Sequence, residues 1–189
     1  MHGRHHLSRL LFRKVAWLGF IALAVVPGLG AVAGEMSEDT VRAAYLYRFA
    51  GYVTWAQAAP ADAPLVIDVM DAPAIARELR RMLPEHAING RSAQVREISS
   101  LQELGKPQIL YVAEGQAHLL RELRPKDAAA VLLVTAEADG LSCGSVINFV
   151  TVDRNVRFEV SLPAAQRGGL KISADLLGVA VRVQGGHAP

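Results

Sequence analysis

Gln108-Ile109-Leu110-Tyr111-Val112-Ala113 is an almost continuous apolar run of strand length. Strands covered on both faces read this way, because neither face alternates toward water. A second such run, Ala130-Val131-Leu132-Leu133-Val134-Thr135, lies downstream, and Gln116 to Arg124, bearing His118, predicts a helix between them. Upstream, Leu65-Val66-Ile67-Asp68-Val69 predicts a strand, and Pro73 to Leu83 a helix that opens on proline. Asn89-Gly90 marks a turn, Ala93 to Ile98 alternates like a half-buried strand, and Leu101–Gly105 is a short turn. The order strand, helix, strand, turn, strand, helix, strand is the signature of a doubly wound layer.

Beyond Thr135 the pattern switches. Ser145 to Val152 and Val156 to Ser161 predict a hairpin around Asp153-Arg154-Asn155, residues that tolerate positive φ. Pro163 opens a short helix ending at Gly168-Gly169, and Ser173 caps a last helix through Val181. Residues 183–189 read as a loose tail. The expected fold is α/β: a single three-layer domain, residues 34–182, with a mostly parallel central sheet plus a C-terminal β-hairpin and helix.

At the other end, Ser37 is a candidate N-cap, with Glu38 and Asp39 in a first helical turn where negative charge is favoured. The helix is expected to run to about Trp55, and beyond its first turn Arg42 and Arg48 are its only charges. So wide an apolar stripe must be largely covered. Tyr45, Tyr47, Phe49, Tyr52 and Trp55 crowd it, either as stacked core or as a partner or ligand platform. Ala58 to Pro64 reads as a linker.

Residues 1–33 have the three parts of a secretory signal. Arg4, Arg9, Arg13 and Lys14 stand without a carboxylate, Val15 to Val26 is uncharged and apolar, and Ala31-Val32-Ala33 is a cleavage site. Twelve apolar residues span about 18 Å, short of the roughly 30 Å hydrocarbon core, so cleavage after Ala33 is expected rather than an anchor. The expected destination is the periplasm. The whole chain has 20 Lys+Arg against 18 Asp+Glu; cleavage takes 33 of 189 residues and four basic groups, leaving 16 against 18. A clustered basic surface for nucleic acid is absent from this pattern.

Chemistry-bearing motifs are sparse, and no catalytic residue, metal ligand or cofactor site is assigned. His86, His118 and His187 stand in no metal-ligand spacing. Glu137 and Asp139 follow the strand ending at Thr135, the edge where doubly wound folds hold ligands, and are the candidate pocket carboxylates. Ser142-Cys143-Gly144-Ser145 superficially suggests a nucleophile turn, which would need a base within reach. Cys143 is the lone cysteine, so no intrachain disulfide can form. It is either buried and inert or available for an intermolecular bond.

Three blocks carry a family pattern: Val41 to Phe49 with Val53-Thr54-Trp55, then Gln108 to Val112, then a long ordered block. That last block holds Gly144, Asn148 and Phe149, then Arg157 and Phe158, then Gly169, Leu170, Lys171, Leu176 and Leu177. Together they resemble the YfiR family of periplasmic proteins over about residues 38–182. The resemblance implies an α/β, dimeric regulator that binds the periplasmic part of a YfiN-type inner-membrane diguanylate cyclase. It would hold the cyclase inactive and so lower cyclic-di-GMP and biofilm formation. An outer-membrane OmpA-like lipoprotein is an implied second partner. The chain departs from the family pattern at Ala56, Cys143 and Ser161, and a redox switch through an intrachain disulfide is excluded with one thiol. The motif residues read mainly as structural, with Asn148 and Arg157 needing partners where covered. The alternative reading is a periplasmic small-ligand binder feeding a sensor kinase or receptor, and a hydrolase at Ser142–Ser145 is the third.

Overall fold

The computed structural model describes residues 36–56, 60, 63–83, 88 and 90–186. The expected export segment, His86, His187 and part of the linker lie outside the described residues.

An apolar strand without alternation needs neighbours on both edges and cover on both faces. β4 (Ile109–Val112) has the first, lying between β2 (Leu65–Met70) and β5 (Leu132–Thr135) and pairing in parallel with each. β3 (Ala93–Ile98) extends the sheet beyond β2 and β6 (Ile147–Val152) beyond β5, both still parallel. Only β7 (Asn155–Ser161) reverses direction, against β6, and β9 (Arg182–Gln184) runs parallel to β7. The seven-stranded order is β3-β2-β4-β5-β6-β7-β9. The protein is therefore α/β with a mostly parallel central sheet and a C-terminal hairpin and helix.

Cover comes from both sides. α1 (Glu38–Tyr52) starts at Ser37, whose hydroxyl accepts from the Thr40 amide at 3.2 Å, and packs on α2 (Pro73–Met82). Phe149 and Phe158 stand opposite each other on β6 and β7 and meet Tyr45 and Phe49 of α1, with ring centroids 5.1–5.9 Å apart. Tyr111 of β4 closes the group at 6.3 Å from Phe149. Right-handed crossovers place α2 and the 117–128 connection on opposite faces, because β2 to β3 and β4 to β5 step in opposite directions. On that second face α3 (Pro125–Ala128) and α4 (Leu162–Arg167) border an apolar cleft of about 210 Å³ with Leu133 and Val146.

Several local expectations are corrected. The first helix stops at Tyr52, and Val53–Trp55 form β1, which pairs antiparallel with β8 (Leu170–Ile172). Backbone bonds to a distant strand outweigh helix continuation there, and β-branched Val53 and Thr54 suit the change. The helix expected over 116–124 is a 3₁₀ segment, Ala117–Glu122, whose tighter turn accommodates a short connection. The hairpin turn has two residues, not three: Asp153 and Arg154 lie at φ 49° and 62°, the geometry that matches strand twist. The last helix, α5 (Ala174–Val179), ends earlier than expected, and the loose tail expected from residue 183 begins inside β9. Short edge strands bury little and leave a weak hydrophobic signal.

Candidate functional site

In parallel sheets the strand ends point backbone dipoles and loops at one edge, so chemistry is sought first at the carboxyl ends. Here the ends of β4, β5 and β6 border a small cavity of about 240 Å³. Glu114, Glu137 and Phe149 line it, and α1 contributes Arg42. The Arg42 guanidinium donates to Glu38 at 2.7 Å and lies 4.0 Å from Asp39, while its Nε is enclosed and unpartnered among the described residues. Burial pushes the neighbouring Tyr111 hydroxyl up to about 12, although the Arg42 charge works against the shift.

The two carboxylates singled out in this loop have different roles. Glu137 lines the cavity, but its Oε1 accepts from the Ala117 amide at 3.2 Å. Asp139 is exposed, and its carbonyl accepts from the Ser142 amide. What organises the loop is Asn148, which is fully buried. Its Oδ1 accepts from the Thr135 hydroxyl at 2.8 Å and the Glu137 amide at 3.0 Å, and its Nδ2 donates to the Glu137 carbonyl at 2.8 Å. A Cβ on Gly140 would collide with the Asn148 amide and the Thr135 hydroxyl, so the clamp excludes any side chain there. Gly144, at φ 103°, then turns the chain into β6 through a left-handed position suited to glycine.

The remaining motif residues divide between core and surface. Phe149, Phe158, Leu170 and Leu176 are buried, and Leu177 packs against them partly covered. Gly169 accepts from the Ala56 amide through its carbonyl, and Lys171 is exposed on β8. Arg157, expected to need a partner under cover, is exposed instead, since β9 begins only opposite Glu159. The aromatic platform is dispersed: Tyr45 turns into the stack, Tyr47 packs on the core, Tyr52 is outside, and Trp55 stands on β1. Cys143 is half-buried, its Sγ 3.8 Å from Arg121 Nη2, and His118 is exposed. No group of three or more His, Cys, Asp or Glu is arranged to hold a metal among the described residues.

One polar pair was missed in the sequence although its signal was present. Asp68 interrupts an apolar strand, is 0 % exposed, and receives both Nε and Nη2 of Arg96 at 2.7 and 2.6 Å. That hydrogen bonding raises the Arg96 pKa. A charge in a strand buried on both faces demands such a partner.

A second concavity lies further along the same carboxyl edge, where β6 turns into β7, and shares Thr151 with the first. The first turns of α1 and the tip of the β6–β7 hairpin enclose a groove of about 800 Å³. Val41, Tyr45 and Val156 line it with Arg154 and Arg157.

A solved structure, a conserved domain protein from Vibrio cholerae, is similar in fold, with a TM-score of 0.53 at 12% identity. The match covers 78% of this chain and 60% of that one, so the chain spans less than two-thirds of that protein's length. No curated protein matches. The YfiR/HmsC-like family model matches residues 39–181, from the first turn of α1 to the residue before β9. The stretch takes in the aromatic stack, the Asn148 clamp and the hairpin alike, and the chain belongs to the YfiR/HmsC-like family.

Proposed function

We propose that this protein is a periplasmic regulator that binds the periplasmic region of an inner-membrane diguanylate cyclase and holds it inactive, lowering cyclic-di-GMP and biofilm formation. The family match over residues 39–181 carries this reading. The export pattern of residues 1–33 supports the compartment, with cleavage after Ala33. It acts by binding rather than catalysis, a reading supported by Glu137 and Asn148, whose side chains near the strand ends are engaged in holding loops. The homodimer and the outer-membrane lipoprotein partner belong to the same proposal. Deletion of the gene should raise cyclic-di-GMP in a strain carrying the cyclase, and the wild-type chain supplied in trans should restore it. Unchanged cyclic-di-GMP in both directions would sink the reading.

A second reading, a small-ligand binder feeding a sensor kinase, is favoured by one observation, the cavity at Arg42, Glu114 and Glu137. A ligand at about 100 times its Kd stabilises by about 2.7 kcal/mol. A thermal-shift screen in which an Arg42→Gln variant responds like wild type rejects that site.

A further inference from the structure

We propose that the groove between the start of α1 and the β6–β7 tip takes an extended acidic segment of the protein partner. The partner's identity rests on the function proposed above; the groove's chemistry rests on its own observations. The first is an open sheet edge. β9 pairs with β7 only over Glu159–Ser161, and no strand lies outside Asn155–Arg157 among the described residues. Unpaired strand edges are templates for an added strand, whose alternate side chains find pockets. Val41, Tyr45 and Val156 offer an apolar lining for them.

The second observation is charge. Arg42, Arg80, Arg81, Arg96, Arg124 and Arg182 each hold a carboxylate within the fold. Arg154 and Arg157 are exposed and, like Arg48, Arg77 and Arg167 elsewhere, have no ion pair among the described residues, but these two lie together in the groove lining. Two acids lie near: Glu38 in the groove lining is held by Arg42 at 2.7 Å, and Asp153 is exposed beside Arg154 in the turn. The two guanidiniums are therefore available to carboxylates on an incoming strand.

The third observation is strain. Arg154 occupies the second left-handed position of a two-residue turn, at φ 62°, where glycine is the favoured residue. A side chain held in a sparsely populated region points to a use outside the turn itself. Substitution by glycine relieves the strain and removes the charge together, so binding and stability should move in opposite directions.

The test uses the full-length chain and a fluorescent peptide alternating glutamate and valine, with its lysine-for-glutamate counterpart. The acidic peptide should bind and the basic one should not. Arg154→Gly and Arg157→Gln should each weaken binding by about tenfold, close to the lower end of the range for hydrogen bonds to charged groups. Arg77→Gln, on α2, should bind as wild type, and Arg154→Gly should melt no lower than wild type. Equal binding of the two peptides, or arginine variants that bind like wild type, overturns the proposal. So does a result in which the variants abolish self-association while the acidic peptide never binds, which would make the groove an interface between copies. On inner-membrane vesicles containing a cyclase that the wild type inhibits, the double variant should lose inhibition at least tenfold. Inhibition retained by the double variant overturns the groove and leaves the proposed function standing. A wild-type chain that inhibits no cyclase overturns the proposed function, and the peptide result then decides the groove alone.

Discussion

The two faces of the central sheet are stabilised by different physics. Toward α1 the face is apolar: Tyr45, Phe49, Tyr111, Phe149 and Phe158 stack at centroid distances of 5.1–6.3 Å. The neighbouring positions on β2, β5 and β6, turned the opposite way by strand alternation, include Asp68, Thr135 and Asn148, all buried. Burial of rings is non-directional and roughly proportional to area, so the first face tolerates change in proportion to volume. Buried polar groups must each be satisfied, so the second face is sensitive to single atoms. Both faces bury apolar area, Leu110 and Leu133 beside Asp68 on the second included. The polar face decides where the loops at the carboxyl edge lie.

Substitutions that probe one face at a time can break this contrast. Phe49→Ala should have the largest effect, a loss of about 3–5 kcal/mol in urea unfolding, because a fully buried ring is replaced by a cavity. A loss below about 1 kcal/mol would mean that the stack is not the centre of the core. On the polar face, Arg96→Met should cost about 2–3 kcal/mol, less than a wholly buried pair because Arg96 reaches solvent. The companion change Asp68→Leu made in that background should restore most of the loss. Failure of the double variant to recover would show that Asp68 has a role beyond satisfying the arginine.

Gly140→Ala should cost about 2 kcal/mol by forcing the Asn148 amide from its partners. In an Asn148→Ala background the same change should cost much less, and strict additivity in the cycle would remove the clamp from the account. The smallest effect sharpens the apolar face. The Tyr111 hydroxyl stays protonated to about 12 in the fold, whereas an unfolded tyrosine ionises near 10. Below pH 10 both states keep the proton and Tyr111 adds no pH dependence. Between 10 and 12 the unfolded chain loses it first, so stability falls, by about 1.4 kcal/mol at pH 11. Tyr111→Phe should flatten that limb in urea midpoints measured across it; an unchanged slope assigns the alkaline loss elsewhere.

The parallel core of the fold was legible in the residues alone. Ile109 to Val112 and Leu132 to Thr135 carry no alternation, and a strand without alternation is buried on both faces wherever it sits. Ser37, Glu38 and Asp39 likewise announce a helix start locally. The family pattern was also legible, since it is a property of residue order. Short strands were not: β1, β8 and β9 have three residues each, and their existence depends on partners distant in sequence. The same holds at the sites. Aromatic crowding on α1 could be seen, but only packing against β6 and β7 turned Tyr45 inward and left Tyr52 out. The sequence by itself determined the local propensities and the apolar periods, which act over a few residues. The tertiary structure alone decided that Asn148 holds a loop eleven residues away and that Arg154 and Arg157 border an open edge, because satisfaction of polar groups is settled by neighbours in space.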